Sequence, residues 1–286
     1  MFLKILKAIV QIRAQTCQEI HLCPKDINLP AMNEKELERY GRHILLPQVD
    51  YEGQKKLMNA HVMIIGLGGL GSPASIYLAS SGIGKLTLCD FDQVELSNLQ
   101  RQIVHRDHSL STNKAHSAKK TLSEINAEID FQVIDQKLTE DELSEYLQQQ
   151  KVDVVLDCSD NFKTRYAINR ACNQNKVPLV SGSAIKFEGQ LMVFDFKDQD
   201  SPCYECVFPD NNTENELRCA DHGILAPVVG IIGTMQSLEA IKLILNLSPL
   251  NSKLLIFDGM VNEWKTIHFK QDKECKICAN AKNSSS

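Results

Sequence analysis

The sequence predicts an α/β fold: a mainly parallel sheet with helices on both faces, followed by a mixed or antiparallel C-terminal extension. Three observations predict it. Short apolar runs alternate with helical stretches from residue 61 to 175, the βαβ rhythm that builds parallel sheets. The apolar run His61-Val62-Met63-Ile64-Ile65 passes directly into Gly66-Leu67-Gly68-Gly69-Leu70-Gly71, which reads as strand, glycine turn and helix start, as in Rossmann-like folds. After residue 179 the rhythm changes, and strands succeed one another without a helix between them. At 286 residues, 43% hydrophobic and 23% charged, the chain is long enough to bury a substantial core. A net charge of −5 gives no electrostatic reason to expect nucleic acid. No apolar run approaches the ~20 residues that cross a bilayer, so no membrane partner is expected.

Residues 1–31 differ in character from the rest of the chain. Their apolar start is interrupted by Lys4 and Lys7, a poor signal peptide, and the stretch reads as a disordered extension or a non-native start. A short membrane-surface helix is the alternative. Met32 opens Asn-Glu-Lys-Glu-Leu-Glu-Arg-Tyr, a good helical beginning and the expected functional start. Residues 32–280 then read as one domain, and 281–286 as a disordered tail. Helices are expected at about 34–46 and 52–59, a strand at 61–66, a helix at 70–81 and a strand at 85–90. A polar loop comes next, then a helix at about 113–126 with Thr112 as N-cap. Strand 130–136, helix 140–149, strand 152–157 and helix 162–175 continue the alternation. Residues 179–196 read as strands broken by Gly182 and Gly189, and 197–222 as a long irregular loop. A helix at about 228–246 carries Val228, Ile231, Ile232, Met235, Leu238, Ile241 and Leu245 at helical spacing, a core stripe. Strands at 253–257 and 263–269 precede the tail.

The glycine turn carries the first chemistry. It aims backbone N–H groups and the positive end of a helix dipole at a phosphate. Gly66 and Gly68 permit the tight turn and close approach; Gly71 permits helix and strand to pack. Asp90 closes the next strand about 20 residues on, where a carboxylate can hold ribose hydroxyls. Alone this motif points first to NAD or FAD. The loop Asp92–Gln102 adds Asn98 and Arg101, and Lys114 opens the next helix; together they can reach phosphates, although each alone is an ordinary surface residue. Asp160, at a strand's carboxyl end in Asp157-Cys-Ser-Asp160-Asn161, suits Mg²⁺ on a triphosphate, or a helix N-cap. Asp157 reads as a strand-end hydrogen-bond partner.

Ten cysteines without a secretory signal argue against a disulfide framework and for a cytoplasmic setting. Cys203-Tyr-Glu-Cys206 and Cys275-Lys-Ile-Cys278 can supply four thiolates to a closed tetrahedral Zn²⁺ site, tying the tail to the loop after the sheet; two idle or redox pairs are the alternative. The other six, Cys17, Cys23, Cys89, Cys158, Cys172 and Cys219, read as reduced thiols. Cys89, Cys158 and Cys172 fall in strand or helix patterns and are expected to be buried and inert.

Arg39-Tyr-Gly-Arg42-His, Gly66–Gly71, Leu96-Ser-Asn-Leu-Gln-Arg-Gln102, Leu156-Asp-Cys-Ser-Asp-Asn161, Pro178-Leu-Val-Ser-Gly182 and both cysteine pairs resemble, in order from about Met32 to Asn280, the MoeB/ThiF/HesA family. These are bacterial relatives of ubiquitin-activating enzymes. The resemblance implies an enzyme that binds Mg·ATP and adenylates the C-terminal glycine carboxylate of a small ubiquitin-like sulfur carrier ending in Gly-Gly, releasing pyrophosphate. It implies that Gly68 and Gly69 approach the phosphates, Asp90 holds the ribose, and Asn98, Arg101 and Lys114 contact phosphate groups. Asp160 takes the place of the Mg²⁺-linked catalytic aspartate. Arg42 resembles an arginine that reaches the neighbouring subunit's ATP, so a homodimer is implied. The cysteines match the structural zinc site. Cys219 aligns with a cysteine that links covalently to the carrier in the thiazole branch, with Arg218 or His222 able to lower its pKa; an unused loop cysteine is the alternative. Between branches the expectation leans toward molybdenum cofactor biosynthesis, with the thiamine thiazole branch as alternative. No rhodanese segment follows Cys278, so a separate sulfur donor, a rhodanese or a cysteine desulfurase, is expected. A nicotinamide-dependent dehydrogenase would explain the glycine turn and Asp90 but not the rest. A non-catalytic nucleotide-binding scaffold need not keep Arg42, Arg101, Lys114 and Asp160 together.

Overall fold

The computed structural model describes residues 32–210, 223–247 and 249–279; the expectations for residues 1–31, for Cys219 and for 281–286 lie outside the described residues. Among those described, eight strands form one sheet: β1 (His61–Ile65), β2 (Lys85–Cys89), β3 (Asp130–Ile134), β4 (Val154–Asp157), β5 (Leu179–Ile185), β6 (Glu188–Phe194), β7 (Lys253–Asp258) and β8 (Glu263–His268). Their order is β3-β2-β1-β4-β5-β6-β7-β8. From β3 to β5 all pairs are parallel, and from β5 to β8 all are antiparallel. Strand order reverses between β1 and β4, where doubly wound sheets open a crevice at the strands' carboxyl ends.

The helices are α1 (Glu34–Ile44), α2 (Asp50–Asn59), α3 (Gly71–Ser80), α4 (Lys114–Ile125), α5 (Glu140–Gln149), α6 (Phe162–Asn175), α7 (Tyr204–Val207) and α8 (Ala226–Ile244). Alternation along β1 decides which face each side chain joins. Val62 and Ile64 pack with Leu78 of α3, Leu122 of α4 and Ile232 of α8. Met63 and Ile65 pack on the other face with Leu147 of α5 and Ile168 of α6. The β1 residues are buried on both sides, as a central parallel strand requires. Capping boxes start α1 (Asn33 with Glu36) and α5 (Thr139 with Glu142).

Four local expectations are corrected. Asn113, not Thr112, caps α4: its side chain accepts from the N–H groups of Ala115 and His116. Gly182 and Gly189 do not break strands but lie inside β5 and β6; the turn falls at Lys186, with φ +54°. A Cβ on either glycine would collide with α8, with Gln236 at Gly182 and Ile232 at Gly189, so these glycines let the helix close on the sheet. Within the expected irregular loop, residues 204–207 form the one-turn helix α7, which starts just after Cys203 and contains Cys206. The α8 stripe is not all core, because Ile231 and Leu238 are 37% and 47% exposed. By length and apolar composition α8 alone among the described helices is long and apolar enough to cross a membrane, yet half of its apolar stretch is buried inside the protein.

Candidate active site

The crevice is walled by the glycine turn after β1, the end of β2, and the Cys158–Asn161 loop after β4. Gly66 has φ +94°, and a Cβ there would meet the Cys158 carbonyl at 2.6 Å. A Cβ on Gly71 would strike the Gly66 carbonyl, so this glycine brings α3 hard against the turn. Gly69 is pressed by Val229 of α8. Gly68 differs: the nearest atom to a Cβ there is Gln102 Nε2 at 3.5 Å, and its face opens on the crevice. Backbone can therefore be approached closely at Gly68.

Asp90 is tied to this turn. Its carboxylate accepts from Leu67 N–H at 2.7 Å and Asp92 N–H at 2.9 Å. Burial pushes its pKa above the usual carboxylate value, opposed by the Lys114 ammonium and those two N–H groups. Lys114, itself buried, reaches the Asp92 carboxylate at 2.9 Å. Beneath the turn His105 Nε2 donates to the Leu67 carbonyl at 3.0 Å while Nδ1 accepts from Ser117 Oγ at 2.9 Å. Desolvation holds that imidazole down at about 4, so at neutral pH it is an uncharged strut.

Arg101 borders the crevice and is steadied by a hydrogen bond to the Ser97 carbonyl at 3.1 Å. Asn98 does not line the crevice; buried, its Oδ1 accepts from Glu95 N–H at 3.3 Å and shapes the loop that presents Arg101. Asp160 is exposed at the rim and accepts a long contact from Asn161 Nδ2, 3.3 Å. The N-cap of α6 is Asn161, whose Oδ1 accepts from Thr164 N–H at 2.9 Å, so the capping alternative for Asp160 falls away. Arg42 stands on the exposed face of α1, outside the crevice lining.

Sequence reasoning missed three features here. Arg165 is buried against Asp157 (3.1 Å) and also donates to Ser181 Oγ and the Gly182 carbonyl. Asp157 is thus the charge partner that, with Arg165, ties the end of β4 to the middle of β5, more than a strand-end hydrogen bond. Gln102, 3% exposed and on the crevice wall, has an Oε1 with no hydrogen-bond partner among the described residues. At the far end Ile65, Leu138 and Leu143 form an apolar slot flanked by Phe91, with Lys137 Nζ 5.7 Å from the ring centre. Strand carboxyl ends mark ligand sites in such sheets, and that rule, applied to β3, points to Lys137 and Leu138.

The four expected cysteines converge. Sγ atoms lie 3.9 Å apart for Cys203–Cys206, 3.6 Å for Cys203–Cys275 and 3.3 Å for Cys206–Cys278. All four lie within 4.8 Å of one another. Tetrahedral Zn–S bonds of about 2.3 Å set sulfurs about 3.8 Å apart, so the donor set fits that metal. Cys89, Cys158 and Cys172 are buried as expected, and burial raises their pKa values, that of Cys89 to about 12.

Residues 40–277 match the model of the ThiF family. The chain is 47% identical over 228 residues to the molybdopterin-synthase adenylyltransferase of Haemophilus influenzae, covering 79% of this chain and 92% of that one. It is 41% identical over 250 residues to the sulfur carrier protein ThiS adenylyltransferase of Escherichia coli, covering 87% and 98%. It is 42% identical over 260 residues to the adenylyltransferase and sulfurtransferase MOCS3 of Dictyostelium discoideum, covering 90% of this chain but only 60% of that longer protein. Among solved structures, Escherichia coli MccB with MccA-N7isoASN superposes with a TM-score of 0.72 at 24% identity, covering 85% and 75%, a likeness of fold.

Proposed function

Since the chain belongs to the ThiF family, we propose that it adenylates the C-terminal glycine carboxylate of a ubiquitin-like sulfur carrier of the molybdopterin-synthase small-subunit type. The observation that carries this reading is the convergence of the open glycine turn, Asp90, Arg101, Lys114 and Asp160 on one crevice. A carboxylate oxygen of the carrier attacks the α-phosphorus of ATP, the bond to the bridging oxygen breaks, and pyrophosphate leaves with the electron pair. An acyl-adenylate remains. No proton moves and no protein nucleophile is needed, so catalysis rests on alignment and on charge placed where it develops.

Each residue then has a task. The turn at Gly66, Gly68, Gly69 and Gly71 turns backbone N–H groups and the α3 dipole toward the phosphates. Asp90 holds ribose hydroxyls, and the slot at Ile65, Leu138 and Leu143 takes the adenine. Arg101 and Lys114 offset the repulsion between the two anions, with Asn98 setting the Arg101 loop. Gln102 places its side-chain Nε2, a donor, beside Gly68. Asp160 would hold Mg²⁺, which would supply positive charge to offset the negative charge of the phosphates. Cys203, Cys206, Cys275 and Cys278 would hold a structural Zn²⁺. A homodimer brings Arg42 to the partner's ATP, which its position outside its own crevice supports; exposed Ile231, Leu238 and Tyr77, on the packed helices α8 and α3, supply apolar contact surface. The setting is cytoplasmic, and a separate protein supplies sulfur. Covalent work by Cys219 belongs to the second reading, the thiazole carrier, whose support is the 41% identity to the ThiS-directed relative.

Pyrophosphate exchange into ATP tests this. It is expected with the molybdopterin-type carrier and lost when the carrier's last glycine is deleted. Exchange with the thiazole carrier alone selects the second reading, and exchange with neither overturns both. The subunit arrangement has its own test. Mixing Arg42→Ala with Asp160→Ala chains yields mixed dimers with one intact site, so about a quarter of parental activity returns on random reassortment. No return places Arg42 within its own subunit.

A further inference from the structure

Helix α8 is apolar along most of its length, and Gln236 at its centre is fully buried. Its amide is spent entirely on the strand ends. Nε2 donates to the carbonyl of Asp157, the last residue of β4, at 2.7 Å, and to Val180 of β5 at 3.3 Å. Oε1 accepts from the Cys158 thiol at 3.5 Å. The ladder between these strands ends at Asp157 and Ser181, while β5, paired with β6 along its whole length, runs on to Ile185. Gln236 therefore takes over where the strand ladder stops, and Gly182 makes room for it.

The same face of α8 touches the opposite wall of the crevice. Residues 229, 233 and 236 lie at helical spacing on one side. Val229 presses on Gly69, while Gly233 lies against the Leu70 carbonyl and Pro73. One rigid helix thus contacts the glycine turn at one end and the backbone three residues before Asp160 at the other.

We infer that Gln236 is a positioning residue for adenylation: its amide fixes the Asp160 loop at a set distance from the glycine turn. This rests on the function proposed above. The glycine turn, Asp90, Arg101 and Lys114 are untouched when Gln236 is changed, whereas a displacement of about 1 Å at a group of the site costs about 10²-fold in rate. Gln236→Met keeps the volume and removes both donors. Measured well below its thermal midpoint, it should bind one ATP per chain with KM for ATP within about threefold of the parent while kcat falls about 10²-fold. Gln236→Glu, which donates only when protonated, should regain kcat as pH falls from 8 to 6. Amide hydrogen exchange at residues 158–161 should speed up in Gln236→Met while that of β2 does not. Parental kcat in the Met variant, or loss of kcat matched by loss of ATP-binding chains, would refute the positioning role; so would unchanged amide exchange at 158–161. The amide arm reads Gln236 without any carrier, so its result stands apart from failure of the proposed activity.

Discussion

Asp160→Ala should lower carrier adenylation by about 10²–10³-fold, the scale of losing one aligned electrostatic group, and leave the thermal midpoint within about 2 °C of the parent. The second half of that expectation comes from burial. Asp160 is exposed, and its side chain meets Asn161 Nδ2 at a long 3.3 Å. Asn161 caps α6 without help from it. Removing its carboxylate thus leaves no buried donor stranded. Asp160→Asn should behave alike, because it is charge for the cation and not shape that is lost. Asp157, three residues earlier, predicts the reverse. It is 1% exposed, and its oxygens take Arg165 at 3.1 Å, Ser181 Oγ at 2.8 Å and Ser159 N–H at 3.0 Å. Asp157→Ala would strand a buried guanidinium at a cost of about 3–5 kcal/mol. Pyrophosphate exchange beside a melting curve separates the two aspartates. Full activity in Asp160→Ala, or a collapse of its midpoint, would remove it from the catalytic role.

These two aspartates also show what a linear sequence conceals. Strand ends, the glycine turn and Asp90 were legible because each is a local matter of period, turn geometry or chain spacing. Most predicted elements fall within two residues of those observed, and the shift from Thr112 to Asn113 is a one-residue error between two good caps. Gly182 and Gly189 misled because a glycine inside a strand reads alike whether it bends the chain or admits a helix. The helix it admits, α8, lies some 40 residues on. Arg165, Gln102 and Gln236 take their meaning from partners that only folding brings near. Ile231 and Leu238 read as core because helical periodicity records apolar character and not what covers it.

Breaking the cysteine cluster, by Cys206→Ser or by a strong zinc chelator, should cost stability without costing the site. The clasp closes a loop of about 70 residues, and closure of that length is worth about 4 kcal/mol in chain entropy. For a domain of this size that is roughly a 10 °C fall in thermal midpoint. The two sides of the clasp are held unequally. Helix α7, carrying Cys206, is pinned to α6 by Arg170, whose Nε and Nη2 meet Glu205 at 2.9 and 3.1 Å, and by Asn169 Oδ1 accepting from Tyr204 N–H at 2.9 Å. The tail has fewer independent ties, chiefly Asn173 Nδ2 to the Ile277 carbonyl at 3.1 Å and Gln271 to the Ser201 carbonyl at 3.5 Å. Without the sulfurs the tail should release first, uncovering the aromatic cluster of Phe194, Tyr204 and Phe269 beneath it. Proteolysis within residues 270–279, one zinc per parental chain by elemental analysis, and an ATP affinity unchanged within about twofold are the expected results. Parallel loss of ATP affinity would mean that the clasp shapes the crevice, and an unmoved midpoint would mean that the four thiols hold no metal that matters to the fold.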